Sequence, residues 1–159
     1  MAKITFRKAK RDDVALILYF IKELASYEHL LDAVEATEAG LEQSLFDQGA
    51  AEVIFVAYEG EDVGFALFFQ NYSTFVGGAG IYLEDLYVLE THRGKGLGKM
   101  LLQQVAKIAV ERHCGRFEWA CLNWNEPSIA FYKHMGAVPM SDWTVYRLEG
   151  EALKKLSIG

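Results

Sequence analysis

Two apolar periodicities interleaved along the chain predict an α+β fold (α/β in some classifications), a mixed, mostly antiparallel central sheet flanked by helices. Segments of strand composition alternate with segments whose apolar residues recur at three- and four-residue steps, in the order β-α-α-β-β-β-α-β-α-β. A hairpin signal in the middle of the chain calls for antiparallel pairing. No stretch rich in proline, glycine or serine divides the sequence and no repeat occurs, so residues 1–159 are expected to form one domain.

KITFRKA reads as a first strand with Ile4 and Phe6 on one face. In RDDVALILYFIKELASYEHL, Val14, Ile17, Leu18, Ile21 and Leu24 form a helical apolar stripe, and Asp12 is the expected N-cap. TEAGLEQSLFDQG is a shorter helix that Thr37 caps and Gly49 ends. AEVIFVAYEGEDVGFALFFQNY is a hairpin of two strands joined around EGED. The loop STFVGGAG leads to the strand IYLEDLYVL, and GLGKMLLQQVAKIAVERH is a long amphipathic helix. RFEWACLNW is a strand, and EPSIAFYKHMG a short helix with Pro127 near its start and Gly136 at its C-cap. VPMSDWTVYRL is expected to supply one or two closing strands, and EGEALKKLSIG a helical turn.

Apolar residues make up 52% of the chain, which excludes disorder. No apolar run is long enough to span a bilayer, and MAKITFRKAKRDD is too charged for a signal peptide, so a soluble, cytoplasmic protein is expected. Cys114 and Cys121 lack CxxC spacing and read as buried reduced thiols. His29, His92, His113 and His134 form no metal-binding pattern, and no metal is expected. The net charge of −6 is unevenly spread: Asp12 to Asp62 holds thirteen acids and one base, whereas the first eleven residues hold five bases and no acid. No basic face is concentrated enough for nucleic acid. The acidic half suits a small cationic ligand, and solvated helix faces are the ordinary alternative explanation.

RGKGLGK, residues 93–99, joins the strand to the long helix. Gly94, Gly96 and Gly98 bare the backbone where the positive end of the helix dipole points, and Arg93, Lys95 and Lys99 add charge. These parts describe a pocket for phosphate or diphosphate. The spacing rules out a P-loop, because three residues separate Gly94 from Gly98 and Met100 follows Lys99. It is also GxGxG, not the dinucleotide GxGxxG. Alone, the stretch is equally a tight turn with exposed lysines.

In its setting between strand and helix, Arg93-Gly94-Lys95-Gly96-Leu97-Gly98 resembles the (Gln/Arg)-x-x-Gly-x-(Gly/Ala) signature of the GNAT superfamily of acetyl-CoA-dependent N-acetyltransferases. The order of elements resembles the GNAT fold. IKELASYEHL, IYLEDLYV, RGKGLG, WNEPSIAFYKHMGA and LEGEALKKL, spread over nearly the whole chain, resemble the diamine and thialysine acetyltransferase branch, which includes the spermidine/spermine acetyltransferases. The resemblance implies acetyl-CoA as cosubstrate, no metal, and a homodimer whose C-terminal strands contribute to the interface; Trp143 and Tyr146 suit that interface and equally suit a core. It also implies that the backbone of Leu86, Tyr87 and Val88 binds the pantetheine arm, and that Arg93, Gly94, Lys95, Gly96, Leu97, Gly98 and Lys99 hold the diphosphate. Asn125, Glu126, Pro127 and Ser128 would touch the cofactor from the next strand–helix junction, and Tyr132 matches the general acid. Tyr27, Glu28 and Glu84 match amine-binding positions, and Glu118, Trp119 and Ala120 the substrate-side strand. Polyamine-specific members carry an acid near the position of Ser73; NYSTF resembles the thialysine side of the branch, which favours a shorter amine.

Acetyl transfer needs an acceptor for the amine's proton, a donor for the carbonyl oxygen as it gains charge, and a proton for the leaving thiolate. Neighbours on a strand point to opposite faces, so Glu84 is expected in the cleft and Asp85 away from it. Pairing with arginine or with backbone N–H groups is the ordinary fate of such acids. A backbone N–H near Leu86 to Val88 serves the oxygen if a bulge or splay frees it from pairing. The Tyr132 hydroxyl could serve the thiolate, although beside Phe131 it reads equally as a half-buried aromatic. The sequence thus reads as an N-acetyltransferase acting by direct attack on the thioester, with a small cationic amine (thialysine or another lysine analogue, a diamine or a polyamine) as acceptor. A protein lysine or N-terminal acetyltransferase and a non-catalytic acetyl-CoA-binding module are the alternatives.

Overall fold

The computed structural model describes all 159 residues, in two compact units, Met1–Ala120 and Cys121–Gly159. The first unit holds a five-stranded sheet in the order β1 (Ile4–Lys8), β2 (Glu52–Tyr58), β3 (Glu61–Ser73), β4 (Gly78–Val88) and β5 (Phe117–Trp119). The first four strands are antiparallel, and β5 lies parallel to β4. The β2–β3 hairpin turns on Glu59 and Gly60, whose φ values of 50° and 83° match the right-handed twist of the flanking strands.

Period-two alternation assigns the two sheet faces. Val53 and Phe55 of β2, Phe65 and Leu67 of β3 and Tyr87 of β4 pack against Ile17 and Phe20 of α1 (Val14–Tyr27). Phe20 stacks on Phe65 with ring centroids 5.5 Å apart, and burying each such phenylalanine stabilises the fold by about 1.5–3 kcal/mol. α3 (Leu97–Glu111) packs on β2, β3 and β4 and buries Leu97, Leu101, Leu102, Val105 and Ala109 at the three- and four-residue steps of its stripe.

Several expectations hold locally. Thr37 caps α2 (Glu38–Leu41), its Oγ1 accepting from the Gly40 N–H at 3.0 Å. This helix then widens into π-helical turns over Glu42–Asp47 and ends with Gly49 at φ 64°. Asp12 does not cap α1. A 3₁₀ turn over Arg11–Asp13 comes first, and the carboxylate that takes a backbone N–H is Asp13, from Lys10 at 2.7 Å. Arg7 fixes it there, donating to both Asp13 oxygens at 2.8 and 2.9 Å and to Asp62 at 2.9 Å. Arg11 pairs with Glu42 and Asp47, and Arg112 with Glu52, so the acidic excess is partly ordinary surface pairing. Cys114 and Cys121 are free thiols, half-buried and not buried.

The second unit contains α4 (Glu126–His134) and α5 (Gly150–Ser157). The expected strand over 116–124 is confined to Phe117–Trp119, and 138–148 forms no strand. A strand needs a ladder partner and a buried face. Here Val145 and Tyr146, adjacent in sequence, are 90% and 92% exposed, and Trp143 68%. The closing segment EGEALKKLSIG is a full helix instead of a single turn. No helix is long and apolar enough to cross a membrane.

Candidate active site

The acids of β4 sit at a break in the sheet. Asp85 lies opposite Leu67 and Leu83 opposite Phe68, so Glu84 is an extra residue with no partner on β3. Such a bulge bends the strand and disrupts the alternation of faces. Pairing with β5 covers only Ile81, Tyr82 and Leu83, against Phe117, Glu118 and Trp119, and stops where the bulge begins. Beyond that point β4 keeps β3 on one edge and departs from β5 on the other. The Leu89 N–H donates to Val63 at 2.8 Å. Because donors alternate along a strand, the N–H groups of Asp85 and Tyr87 point to β3, and those of Leu86 and Val88 to the opposite edge. Two backbone donors are thereby aimed along the splay, as the chemistry at the carbonyl oxygen requires.

At the bulge Glu84 is exposed, whereas Asp85 is half-buried. Burial first, then the neighbouring carboxylates of Glu84 and Glu28, push the Asp85 carboxyl from 3.8 up to about 7. Burial and then Glu84 raise Glu28, at the end of α1. Burial, Glu84 and Glu118 raise the Tyr82 phenol. Asn71 Nδ2 donates to Glu118 Oε1 at 3.5 Å, holding that side chain next to Tyr82's strand. Acids from α1, β4 and β5 therefore share one field, which favours a cation among them. The charged groups acting on Asp85 are acids, whereas the arginines with ion pairs in this unit serve Asp13, Asp62, Glu42, Asp47 and Glu52.

A stability prediction follows from the raised carboxyl. Folding takes up a proton on Asp85 between 3.8 and about 7, so the parent loses stability as pH rises through that window, by a few kcal/mol at most. Asp85→Asn should match the parent in thermal melts near pH 4 and become the more stable of the two by about pH 8. Parallel melting curves across that range would place Asp85 in an ordinary ionised pair.

The glycine loop follows β4 directly. Gly94 and Gly96 adopt φ 79° and 78°, the left-handed region that disfavours other residues, and Gly96 is the N-cap of α3. The Met100 N–H bonds to the Gly96 carbonyl at 3.1 Å as a first helical turn, so the N–H groups of Leu97, Gly98 and Lys99 are the orphan donors of α3. A Cβ built on Gly94, Gly96 or Gly98 would meet no atom within 4 Å. The loop is an open cradle with convergent donors at a helix N-terminus, which fits a diphosphate. Lys99 is exposed beside it, whereas Lys95 turns its Nζ over the Tyr58 ring, 4.1 Å from the centroid. Strand rise sets Glu84 roughly 13 Å before Val88, room for an extended arm between loop and acids.

The remaining expected residues have their own settings. Trp119 packs on Phe117, ring centroids 5.0 Å apart, and Ala120 is exposed just past β5. In the second unit the Asn125 side chain caps α4, accepting from the Ser128 N–H at 3.4 Å, with Glu126 and Pro127 in the first turn. Tyr132 is half-buried in α4, and its ring tilts against Phe131 at 5.6 Å. Sequence reasoning missed Asp85 as a member of the acidic group, because a bulge leaves no compositional mark. It also missed the surroundings of Arg93, whose guanidinium lies over Tyr27 and Tyr87.

Residues 18–137 match the acetyltransferase (GNAT) family. The thialysine N-epsilon-acetyltransferase of Sus scrofa is 36% identical, over 99% of this chain and 99% of its own length. The L-ornithine N5-acetyltransferase NATA1 of Arabidopsis thaliana is 32% identical, over 94% of this chain and 86% of its own. Among solved structures, an integron cassette protein from the mobile metagenome of V. cholerae aligns with a TM-score of 0.79 and 28% identity, covering 98% of both chains.

Proposed function

From membership of the GNAT family of acetyltransferases, to which this chain belongs, we propose that it transfers an acetyl group from acetyl-CoA to a primary amine of a small cationic molecule. The observation that carries the reading is the acidic group of Glu28, Glu84, Asp85 and Glu118 around the bulge, beside the free edge of β4. A lysine-like or diamine acceptor brings two cationic centres, and acids from three elements can hold both. Relatives named for thialysine and for ornithine support a short dibasic acceptor, as does Ser73 where polyamine-specific enzymes carry an acid.

Acetyl-CoA supplies an activated acyl group as a thioester. Glu84, exposed at the bulge, takes the proton of the ammonium through water, freeing the lone pair to attack the thioester carbonyl. The N–H groups of Leu86 and Val88 stabilise the charge that develops on the carbonyl oxygen. As the C–S bond breaks, Tyr132 donates its proton to the departing sulfur, and the second proton released by the attacking nitrogen restores the phenol, leaving a neutral amide and a free thiol. The diphosphate rests on the N–H groups of Leu97, Gly98 and Lys99, and the family resemblance assigns Asn125–Ser128 to the same cosubstrate. The family match runs across both units, which supports treating residues 1–159 as one acetyltransferase domain. The apolar, exposed 138–148 segment suits burial in a homodimer, and two free thiols suit the reducing cytoplasm.

A thiol-release assay across thialysine, lysine, ornithine, diamines, polyamines, aminoglycosides and lysine-containing peptides tests this reading. Short dibasic amines should give the highest kcat/KM, with one thiol released per amine acetylated. Turnover of peptides alone, or no thiol release with any amine, would reject it.

A further inference from the structure

We propose that Arg93 is a positioning residue whose side chain braces the last turn of α1 against the free edge of β4, coupling the amine-binding wall to the cofactor loop, instead of gripping the diphosphate. This rests on the amine acetyltransferase reading, and it assigns to Arg93 a different role from the diphosphate contact that its place in the loop suggests.

Three contacts define the brace. Arg93 Nε donates to the Val88 carbonyl at 3.1 Å. Its guanidinium carbon lies 4.9 Å from the centroid of the Tyr27 ring and 5.2 Å from that of Tyr87. Tyr27 closes α1, Val88 closes β4, and Arg93 itself opens the glycine loop, so one side chain joins the three elements that meet at the site. Each contact uses a property of arginine. A planar, weakly hydrated cation sits well over aromatic faces, and it is favourable near a helix C-terminus, where the dipole is negative. The Val88 carbonyl shares the outward edge with the Val88 N–H, so the Nε bond closes one end of the splay and leaves the donors of Leu86 and Val88 in place.

The residue after Tyr27 is Glu28, the acid that α1 contributes. The chain leaves the helix sharply there: the Glu28 N–H bonds to Leu24 at 2.9 Å, the Leu30 N–H to Ala25 at 2.8 Å, and His29 adopts φ 61°. Glu28 lies in the field of Glu84 and acts on Asp85, and repulsion among these acids works to push this turn outward unless something pins it. The cation over Tyr27 supplies the pin. The diphosphate, meanwhile, has the N–H groups of Leu97, Gly98 and Lys99, and does not need this guanidinium.

The test uses Arg93→Lys and Arg93→Gln in the full chain, with acetyl-CoA and with an acetyl thioester of N-acetylcysteamine, which has no diphosphate. The brace predicts a rise of about three- to tenfold in amine KM with either donor, acetyl-CoA KM within about twofold of the parent, and faster amide hydrogen exchange over residues 24–30. The lysine variant keeps the charge and loses the planar stacking, so it reports the brace even if the glutamine variant folds poorly. An acetyl-CoA KM that rises as much as the amine KM, an effect that vanishes with the diphosphate-free donor, or unchanged kinetics and exchange would each overturn the proposal. If the parent turns over no amine, the proposed function falls, and hydrogen exchange alone still decides the brace.

Discussion

Tyr132→Phe should lower kcat by about ten- to a thousandfold while leaving CoA affinity within about twofold, the range expected when an acid catalyst is lost and binding is not. The substitution keeps the ring, and with it the packing on Phe131 and the half-buried place in α4. Only the hydroxyl is lost. The helix that carries it is well defined at both ends. Asn125 caps the first turn, Lys133 and His134 lie in the last, where the dipole favours cations, and Gly136 follows at φ 93°. The variant should therefore melt close to the parent, which separates a chemical loss from a folding loss. Rapid-quench measurement of a single turnover gives the acetyl-transfer rate directly. An unchanged rate where chemistry limits turnover would remove Tyr132 from the mechanism.

Gly98→Val should weaken CoA binding by about ten- to a hundredfold, with little effect on the fold. Charge-assisted hydrogen bonds to an anion contribute about 1.5–3 kcal/mol, and a branched side chain in the cradle forfeits at least one of them. Gly98 is the cleanest of the three loop glycines for this test. It lies inside α3 and outside the left-handed region that holds Gly94 and Gly96, so a side chain there adds no backbone strain of that kind. A Cβ on Gly98 meets nothing within 4 Å. Gly64 is a contrast, because a Cβ there would stand 2.6 Å from the Tyr87 carbonyl oxygen, and its substitution would disrupt the sheet beneath the site. Calorimetric titration with CoA and with pantetheine, which lacks the diphosphate, should show the loss for CoA only. Equal losses for both ligands would mean that the valine distorts the site as a whole.

The parts of the fold that were legible share a property: their signal is periodic and long. The α1 and α3 stripes, and the β2–β3 hairpin with its turn, follow from residue spacing because each has a face to bury. The closing strands misled for the same reason in reverse. VPMSDWTVYRL has strand-forming residues, but Trp143, Val145 and Tyr146 find no buried face in this chain. The N-cap of α1 was misplaced by one residue because Arg7, distant in sequence from Asp62, recruits Asp13 and Asp62 together. That choice is tertiary.

At the site, the glycine loop was legible from its setting, between a strand and an amphipathic helix whose periodicities bracket it, since glycine spacing alone fits an ordinary turn equally. The bulge at Glu84 was not, since a one-residue slip in register depends on how Leu67 and Phe68 meet β4. Beside it, Asp85 is a half-buried acid whose carboxyl is pushed up to about 7, first by burial and then by Glu84 and Glu28. The Arg93 contacts were equally hidden, because they depend on the end of α1 meeting the end of β4.

A crystal structure of the CoA complex tests the central claim most directly. The account predicts diphosphate oxygens about 2.7–3.2 Å from the N–H groups of Leu97, Gly98 and Lys99. It further predicts the sulfur at the free edge of β4 beside Leu86 and Val88, with Glu84 on the same side. A diphosphate bound away from the 94–99 cradle, or a sulfur remote from Glu84, would contradict it.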